Sequence, residues 1–470
     1  MNYSRLKEIL SVYYKNTAPL SAEKLQKDCY ADLDKFDKEN PGLNNYELKI
    51  EQYKCIAKRL NLTLFDELPY YFETGALHPF CDGYYGRGML HANGWLIDRN
   101  THITLEENPD LSEKTLLMSR ENLYTGRRQF LDLDHFKIPF KKIFEKGLSG
   151  VYLETEETLK DAKTQEERDF MNCALEGLLV LKEIGEEFSK IAQEKLKTAT
   201  NEEQTTALRL IADTAKRVPW EKPESVYEGL ATLAFMRKVL GSIEGIGYNS
   251  MGRVDVLLYP LYLSDKEKGV SDEEIYDFIC KFLLIWDAHI DKSKKMSGYS
   301  EYEYENALTL GGCDKDGKEV FNPITTMFLK AHLELDNMYP KIKCRYSVSS
   351  SDEYLKQISY PLLKQKSVLL YCNDDVIIPG LLRHGFSKEH AFDYTVSGCW
   401  DISLDDYYKA QCGQYINALK ILEWPQGRKA APPGRQGRAG APQRILPPAG
   451  HRQGHRAQPG EATERRRIIS

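Results

Sequence analysis

The stretch Ile342-Lys343-Cys344-Arg345-Tyr346-Ser347-Val348 is a short apolar run with strand character. It follows a helical segment that Asn322-Pro323 opens and that extends through Leu335. Three more runs of the same kind flank it: Val254-Asp255-Val256-Leu257-Leu258-Tyr259, Ala307-Leu308-Thr309-Leu310 and Val368-Leu369-Leu370-Tyr371. Short strands that alternate with helices predict an α/β fold whose strands are buried on both faces.

Outward from this core, helical periodicity takes over. Thr164 and Glu167 have the spacing of a capping box, and Phe170, Cys173, Ala174, Leu178, Leu181, Ile184, Phe188 and Ile191 follow at helical intervals. Asn201 is placed to cap a second helix that ends before Pro219. A third is expected from Pro223 to near Gly241, and Ser271 with Glu274 caps a fourth. Residues 1–140 read as mostly helical and mixed, with the aromatic and Gly-rich run Phe80-Cys81-Asp82-Gly83-Tyr84-Tyr85-Gly86-Arg87-Gly88.

The chain has 470 residues, 41% hydrophobic and 29% charged, which fits a soluble globular protein with a large core. No apolar run reaches the roughly 18 residues of a membrane span, and Met1-Asn2-Tyr3-Ser4-Arg5-Leu6 lacks the apolar core of a signal peptide, so a cytoplasmic location is expected. Ten cysteines occur without a Cys-x-x-Cys pair, so neither a zinc ribbon nor an iron–sulfur cluster is expected, and the thiols read as free in a reducing compartment. Residues 425–470 hold nine Arg, one Lys and two Glu, a charge of +8, leaving -14 on the first 424 residues of a chain with net charge -6. An acidic body excludes a nucleic-acid-binding surface there. The tail has seven Pro, seven Gly and no aromatic residue, a composition that cannot bury enough surface to order itself, and it breaks into the amphipathic pattern Tyr415–Trp424 in mid-helix. It reads as a disordered, non-native segment.

Chemistry concentrates in Tyr394-Thr395-Val396-Ser397-Gly398-Cys399-Trp400-Asp401. The glycine permits a sharp turn with one thiol at its tip, and a carboxylate follows two residues later. Cys399 is the candidate catalytic thiol and Asp401 the candidate acid/base. Trp400 is a candidate pocket wall, and Arg345 a candidate anchor for an anionic substrate. Arg253 with Asp255 reads as a buried structural pair, and Asp374-Asp375 as an Asx turn or helix cap; no metal site is assigned.

Several segments, in order, resemble the pyruvate formate-lyase-like domain of glycyl radical enzymes. They are Lys146-Gly147-Leu148-Ser149-Gly150, Arg217-Val218-Pro219, Pro223–Leu230, Ser250-Met251-Gly252-Arg253, Thr309-Leu310-Gly311-Gly312-Cys313 with Asn322, Asn373-Asp374-Asp375, Gly385-Phe386-Ser387, Asp393-Tyr394 and Gly398-Cys399. The resemblance implies a barrel of two antiparallel-related half-sheets wrapped by helices, with residues 141–424 as its core and the C-terminus incomplete. It also implies that Cys399 becomes a thiyl radical that abstracts hydrogen from a small polar metabolite. The radical would be stored on a glycine in a C-terminal loop, whose arginine-valine-x-glycine-aromatic motif this sequence does not contain. A separate activating enzyme with an iron–sulfur cluster and S-adenosylmethionine installs it, and a homodimer is expected. Family members of the lyase and dehydratase type carry glutamate two residues after the cysteine; here it is Asp401. Pyruvate formate-lyase has adjacent cysteines, and Ser397-Gly398-Cys399 does not, which disfavours formate C-acetyltransferase-like acyl transfer. The competing readings are a non-catalytic fragment or paralogue serving binding or assembly, and an enzyme completed by a separate glycyl-radical protein.

Overall fold

The computed structural model describes residues 3–16, 20–74, 94–120, 130–131, 138–244, 250–287, 307–363, 369–397, 401–404, 412–413 and 418–423. The Gly-rich run Phe80–Gly88 and the tail 425–470 lie outside the described residues. Met1–Ile416 form one compact unit and Asn417–Ser470 a second.

Eight strands occur among the described residues: β1 (Phe130–Leu131), β2 (Ser250–Arg253), β3 (Ala307–Gly311), β4 (Lys341–Tyr346), β5 (Leu369–Asn373), β6 (Thr395–Ser397), β7 (Asp401–Ser403) and β8 (Cys412–Gly413). The centre is a four-stranded parallel sheet in the order β2-β3-β4-β5. Its register sets Gly311 opposite Arg345 and Arg345 opposite Cys372. Helices link successive strands, Asp272–Asp287 before β3, Pro323–Glu334 before β4 and Asp352–Leu363 before β5. All five residues of β3 and the middle four of β4 are buried, as a sheet covered on both faces requires. The α/β expectation therefore holds for this half of the chain.

One expected strand is a helix. Val254–Glu267 is helical and starts directly after β2. Its buried residues Val254, Asp255, Leu258 and Tyr262 recur at helical spacing while Val256 is exposed. The apolar run Val254–Tyr259 was too short to separate a period of 2 from one of 3.6. The strand expected through Val348 ends at Tyr346, where Ser347 N–H turns onto Ser350 Oγ at 3.0 Å and leaves Val348 exposed.

The caps fall where local chemistry puts them. Thr164 and Glu167 close the expected box at the start of Gln165–Leu196, and Asn201 accepts from Gln204 N at the start of Glu202–Thr214. Asn322 caps Pro323–Glu334, and Ser271 Oγ accepts from Glu274 N at 3.1 Å. The third helix spans Val226–Glu244, later than expected, because Ser225 Oγ rather than Pro223 opens it, accepting from Glu228 N at 3.2 Å. It is buried almost all round, which marks a central helix rather than a surface one. Phe170, the first of the residues at helical intervals, is exposed and packs edge-on against Tyr46.

Gly147 explains the first of the spaced motifs. It kinks Phe140–Lys160 with φ +70°, and a Cβ there would lie 2.5 Å from the Trp220 carbonyl oxygen. That close approach lets Leu148 N–H and Ser149 N–H, freed at the kink, donate to Pro219 O at 2.9 Å and Trp220 O at 2.7 Å. In the second unit, the expected amphipathic helix is present as Ala418–Glu423, with Leu419, Ile421 and Leu422 exposed.

Candidate active site

The carboxyl ends of β2–β5 deliver four charged side chains into the interior: Arg253, Asp255, Arg345 and Asp374, each 5% exposed or less. Ligand sites of parallel α/β sheets form at this edge. Arg345 and Asp374 form a two-pronged ion pair, Nε to Oδ1 and Nη2 to Oδ2, both at 2.9 Å. The remaining guanidinium N–H groups donate to Phe392 O at 2.9 Å, Tyr394 O at 3.1 Å and Cys313 O at 3.4 Å. All five donors of Arg345 are thus engaged with protein. Arg345, expected as an anchor for an anionic substrate, has its donors taken up by protein groups in this structure.

Asp374 is likewise more than a cap. Asn373 caps the helix Asp374–Arg383, accepting from Asp375 N, and Asp375 accepts from Val348 N at 2.8 Å. Asp374 instead accepts from Cys313 N–H at 2.9 Å and from the Tyr394 hydroxyl at 2.6 Å. Burial pushes its carboxyl up, but the Arg345 guanidinium, the Tyr394 hydroxyl and the Cys313 N–H together leave it below the ordinary value. The Tyr394 ring lies under the guanidinium, 4.0 Å from centroid to carbon. Burial, with Asp374 alongside, pushes the Cys313 thiol up to about 11, so it is protonated at neutral pH.

Arg253 and Asp255, expected as a buried structural pair, meet on the backbone of one residue, Gly311. Arg253 donates to Gly311 O at 3.0 Å, and Asp255 accepts from Gly311 N–H at 2.7 Å. Arg253 also donates to Phe392 O at 3.0 Å, and Asp255 accepts from Thr325 Oγ1 at 2.8 Å. Burial lowers the guanidinium of Arg253, with Arg345 adding to it, and raises the carboxyl of Asp255. Two glycines make room for all this. A Cβ on Gly311 would strike the Tyr354 hydroxyl at 2.0 Å, and one on Gly312 would lie 2.6 Å from Arg345 Nε and 2.7 Å from Asp374 Oδ2. Both have φ above +70°, a conformation that favours glycine.

The network holds residues 392–396, just ahead of the Gly398-Cys399 motif. From there β6 packs on β2 and β3, and Val396 N–H reaches Thr309 Oγ1 at 3.5 Å. β6 pairs antiparallel with β7, setting Ser397 opposite Asp401, and Ser397 Oγ lies 2.8 Å from Ser403 Oγ. Residues 398–400 connect the two strands. Cys399 and Trp400 lie outside the described residues, as does the side chain of Asp401. Among the described residues no cluster of His, Cys, Asp or Glu is arranged to hold a metal ion, and His332 is buried against Pro340 O at 3.0 Å. No described helix is long and apolar enough to cross a membrane.

A family described as pyruvate formate lyase-like matches residues 105–425, more than half of the chain. The chain belongs to this family. Its curated relatives in the family include the probable dehydratase YbiW of Escherichia coli K12, 23% identical over 74% of this chain and 43% of YbiW. The isethionate sulfite-lyase of Bilophila wadsworthia is 29% identical over 45% of this chain and 26% of that enzyme. Among solved structures, a glycyl radical enzyme from Archaeoglobus fulgidus superposes with a TM-score of 0.68 at 18% identity, covering 85% of this chain and 55% of the other. The chain spans less than half the length of these two curated relatives.

Sequence reasoning missed the ion pair at the centre of this family member's sheet edge. The signal for Tyr394 and Gly312 was present in the spaced motifs, but the pairing of Arg345 with Asp374 depends on the register of β4 against β5.

Proposed function

We propose that this protein is a lyase or dehydratase of the glycyl radical class, in which Cys399 abstracts hydrogen from a small polar metabolite such as a diol, amino alcohol or sulfonate. The observation that carries the reading is the β6–β7 pair: with Ser397 opposite Asp401, Gly398-Cys399-Trp400 becomes the short connection of a hairpin seated on the parallel sheet. Family membership supports the class, and the sulfonate option draws on the name of the isethionate sulfite-lyase.

In this reading the Cys399 sulfur takes a hydrogen atom from a substrate carbon, so that an S–H bond forms as the C–H bond breaks. The leaving group on the neighbouring carbon departs while Asp401 moves the accompanying proton, and Cys399 returns its hydrogen to the product. Trp400 walls the pocket. Arg345, Asp374 and Tyr394 hold the chain that leads into the hairpin. A glycyl radical, installed by a separate S-adenosylmethionine iron–sulfur activating enzyme, supplies the unpaired electron. The parallel sheet β2–β5 would be one half of a barrel of two antiparallel-related half-sheets, within a core of residues 141–424 preceded by a mostly helical and mixed region 1–140. The working form would be a cytoplasmic homodimer.

The test joins this chain in frame to a C-terminal glycyl radical domain and treats it anaerobically with an activating enzyme. Cys399→Ala should keep the glycine-centred electron paramagnetic resonance signal and lose turnover. Asp401→Asn should keep the signal and lose about 10²–10⁴-fold in turnover. Turnover by Cys399→Ala would end the proposal.

A further inference from the structure

Far from the sheet edge, two thiols meet between helices Leu20–Glu39 and Asn45–Ala57. Cys29 Sγ and Cys55 Sγ are 3.1 Å apart, both sulfurs belong to free cysteines, and the residues are 0% and 4% exposed. Buried cysteines are ordinarily small packing groups. This pair has polar company that packing does not require. Arg59 Nη1 donates to Cys55 Sγ at 3.1 Å and to Cys55 O at 3.0 Å. The same guanidinium is held by Asp32, one turn beyond Cys29 on the facing helix. Two thiols and an arginine–carboxylate pair therefore form a four-membered cluster across one helix–helix contact. Asp32 is 64% exposed and Arg59 19%, so the sulfurs lie one side chain beneath the surface.

We propose that Cys29 and Cys55 are a redox pair that hydrogen peroxide converts to a disulfide, with Cys55 as the attacking thiol. The contact between the two thiols, in which either sulfur can donate, and the Arg59 guanidinium beside it hold the Cys55 thiol below its ordinary value, while that contact and burial raise Cys29. The Arg59 Nη1 contact on Cys55 Sγ favours the Cys55 thiolate and assigns the order of events. The Cys55 thiolate attacks one peroxide oxygen; an S–O bond forms, the O–O bond breaks, and hydroxide leaves and is protonated to water. Cys29 sulfur then attacks Cys55 sulfur, the S–S bond forms as the S–O bond breaks, and a second water leaves with the Cys29 proton. Two thiols are oxidised and one hydrogen peroxide is reduced. An approach of about 1 Å brings the sulfurs to bonding distance. The product staples the two helices.

The test uses the reduced 470-residue chain and hydrogen peroxide, with denaturing alkylation and peptide mapping under non-reducing conditions. The expected product is a Cys29–Cys55 cross-linked peptide that dithiothreitol removes. In Cys29→Ser, dimedone should label position 55, and Arg59→Met should slow oxidation about tenfold. Recovery of both cysteines alkylated while other thiols are oxidised would overturn the proposal, and this result comes from the wild-type chain without reliance on any variant. Dimedone label on Cys29 in Cys55→Ser at the rate seen for Cys55 would overturn the assigned order.

Discussion

Two regions of this protein treat charge in opposite ways. On the helical side, pairs such as Lys197–Glu194 and Lys160–Glu157 stand in solvent, with both partners two-thirds exposed or more. At the sheet edge, Arg345 and Asp374 are 0% and 1% exposed. Solvent already satisfies the first kind, so forming the pair changes little. The second kind has no water to fall back on, so each partner depends on the other. The contrast separates residues that decorate the fold from those that fix where residues 392–396 run.

The comparison breaks hardest at Asp374. Asp374→Ala strands the Arg345 guanidinium and should cost about 3–5 kcal/mol in urea unfolding; a loss below about 1 kcal/mol would show that the pair adds nothing beyond its packing. Titration sharpens the same point. Asp374 titrates below its ordinary value in the folded state, so its stabilisation is present above the unfolded value of about 3.9 and is lost as pH falls through the folded one. Asp255 is raised by burial, so its contribution runs the other way and declines as pH rises from about 3.9 through its folded value. Stability plotted against pH should therefore flatten below about 3.9 in Asp374→Asn and lose its decline above about 3.9 in Asp255→Asn.

Next in size is Gly312→Ala, where the new methyl meets Arg345 and Asp374 on a left-handed backbone; about 2–4 kcal/mol is expected. Gly269→Ala, with φ +85° and open space around it, should cost only the backbone share of about 1–2 kcal/mol. Equal losses at the two glycines would remove the steric account. Asn201→Ala takes one cap from the helical region and should cost about 1 kcal/mol. Lys197→Ala should leave the urea midpoint unchanged.

What the sequence made legible follows the same division. Caps such as Thr164 with Glu167 were readable because donor and acceptor lie three residues apart. The strands β3 to β5 were readable from apolar runs between helices. Val254–Glu267 was misread because β-branched and leucine residues side by side fit either period. Arg345 was placed on its strand, but its pairing with Asp374 was not legible, since Asp374 is 29 residues away and only strand register brings it near. Cys29 and Cys55, in separate helices, carry no local mark of their contact.

β2 ends at Arg253 and a helix begins at Val254; β5 ends at Asn373 and a helix begins at Asp374. Neither junction has a loop, and each puts a buried aspartate in the first helical turn, where the positive end of the helix favours it. An inserted residue at either junction has nowhere to be absorbed. It would swing the following helix by about 100° per residue and carry the carboxylate off its arginine or its glycine peptide. The turn Asp314–Gly317 sits a few residues from the same edge and is exposed, so length variation between relatives should collect there and vanish at the two seams.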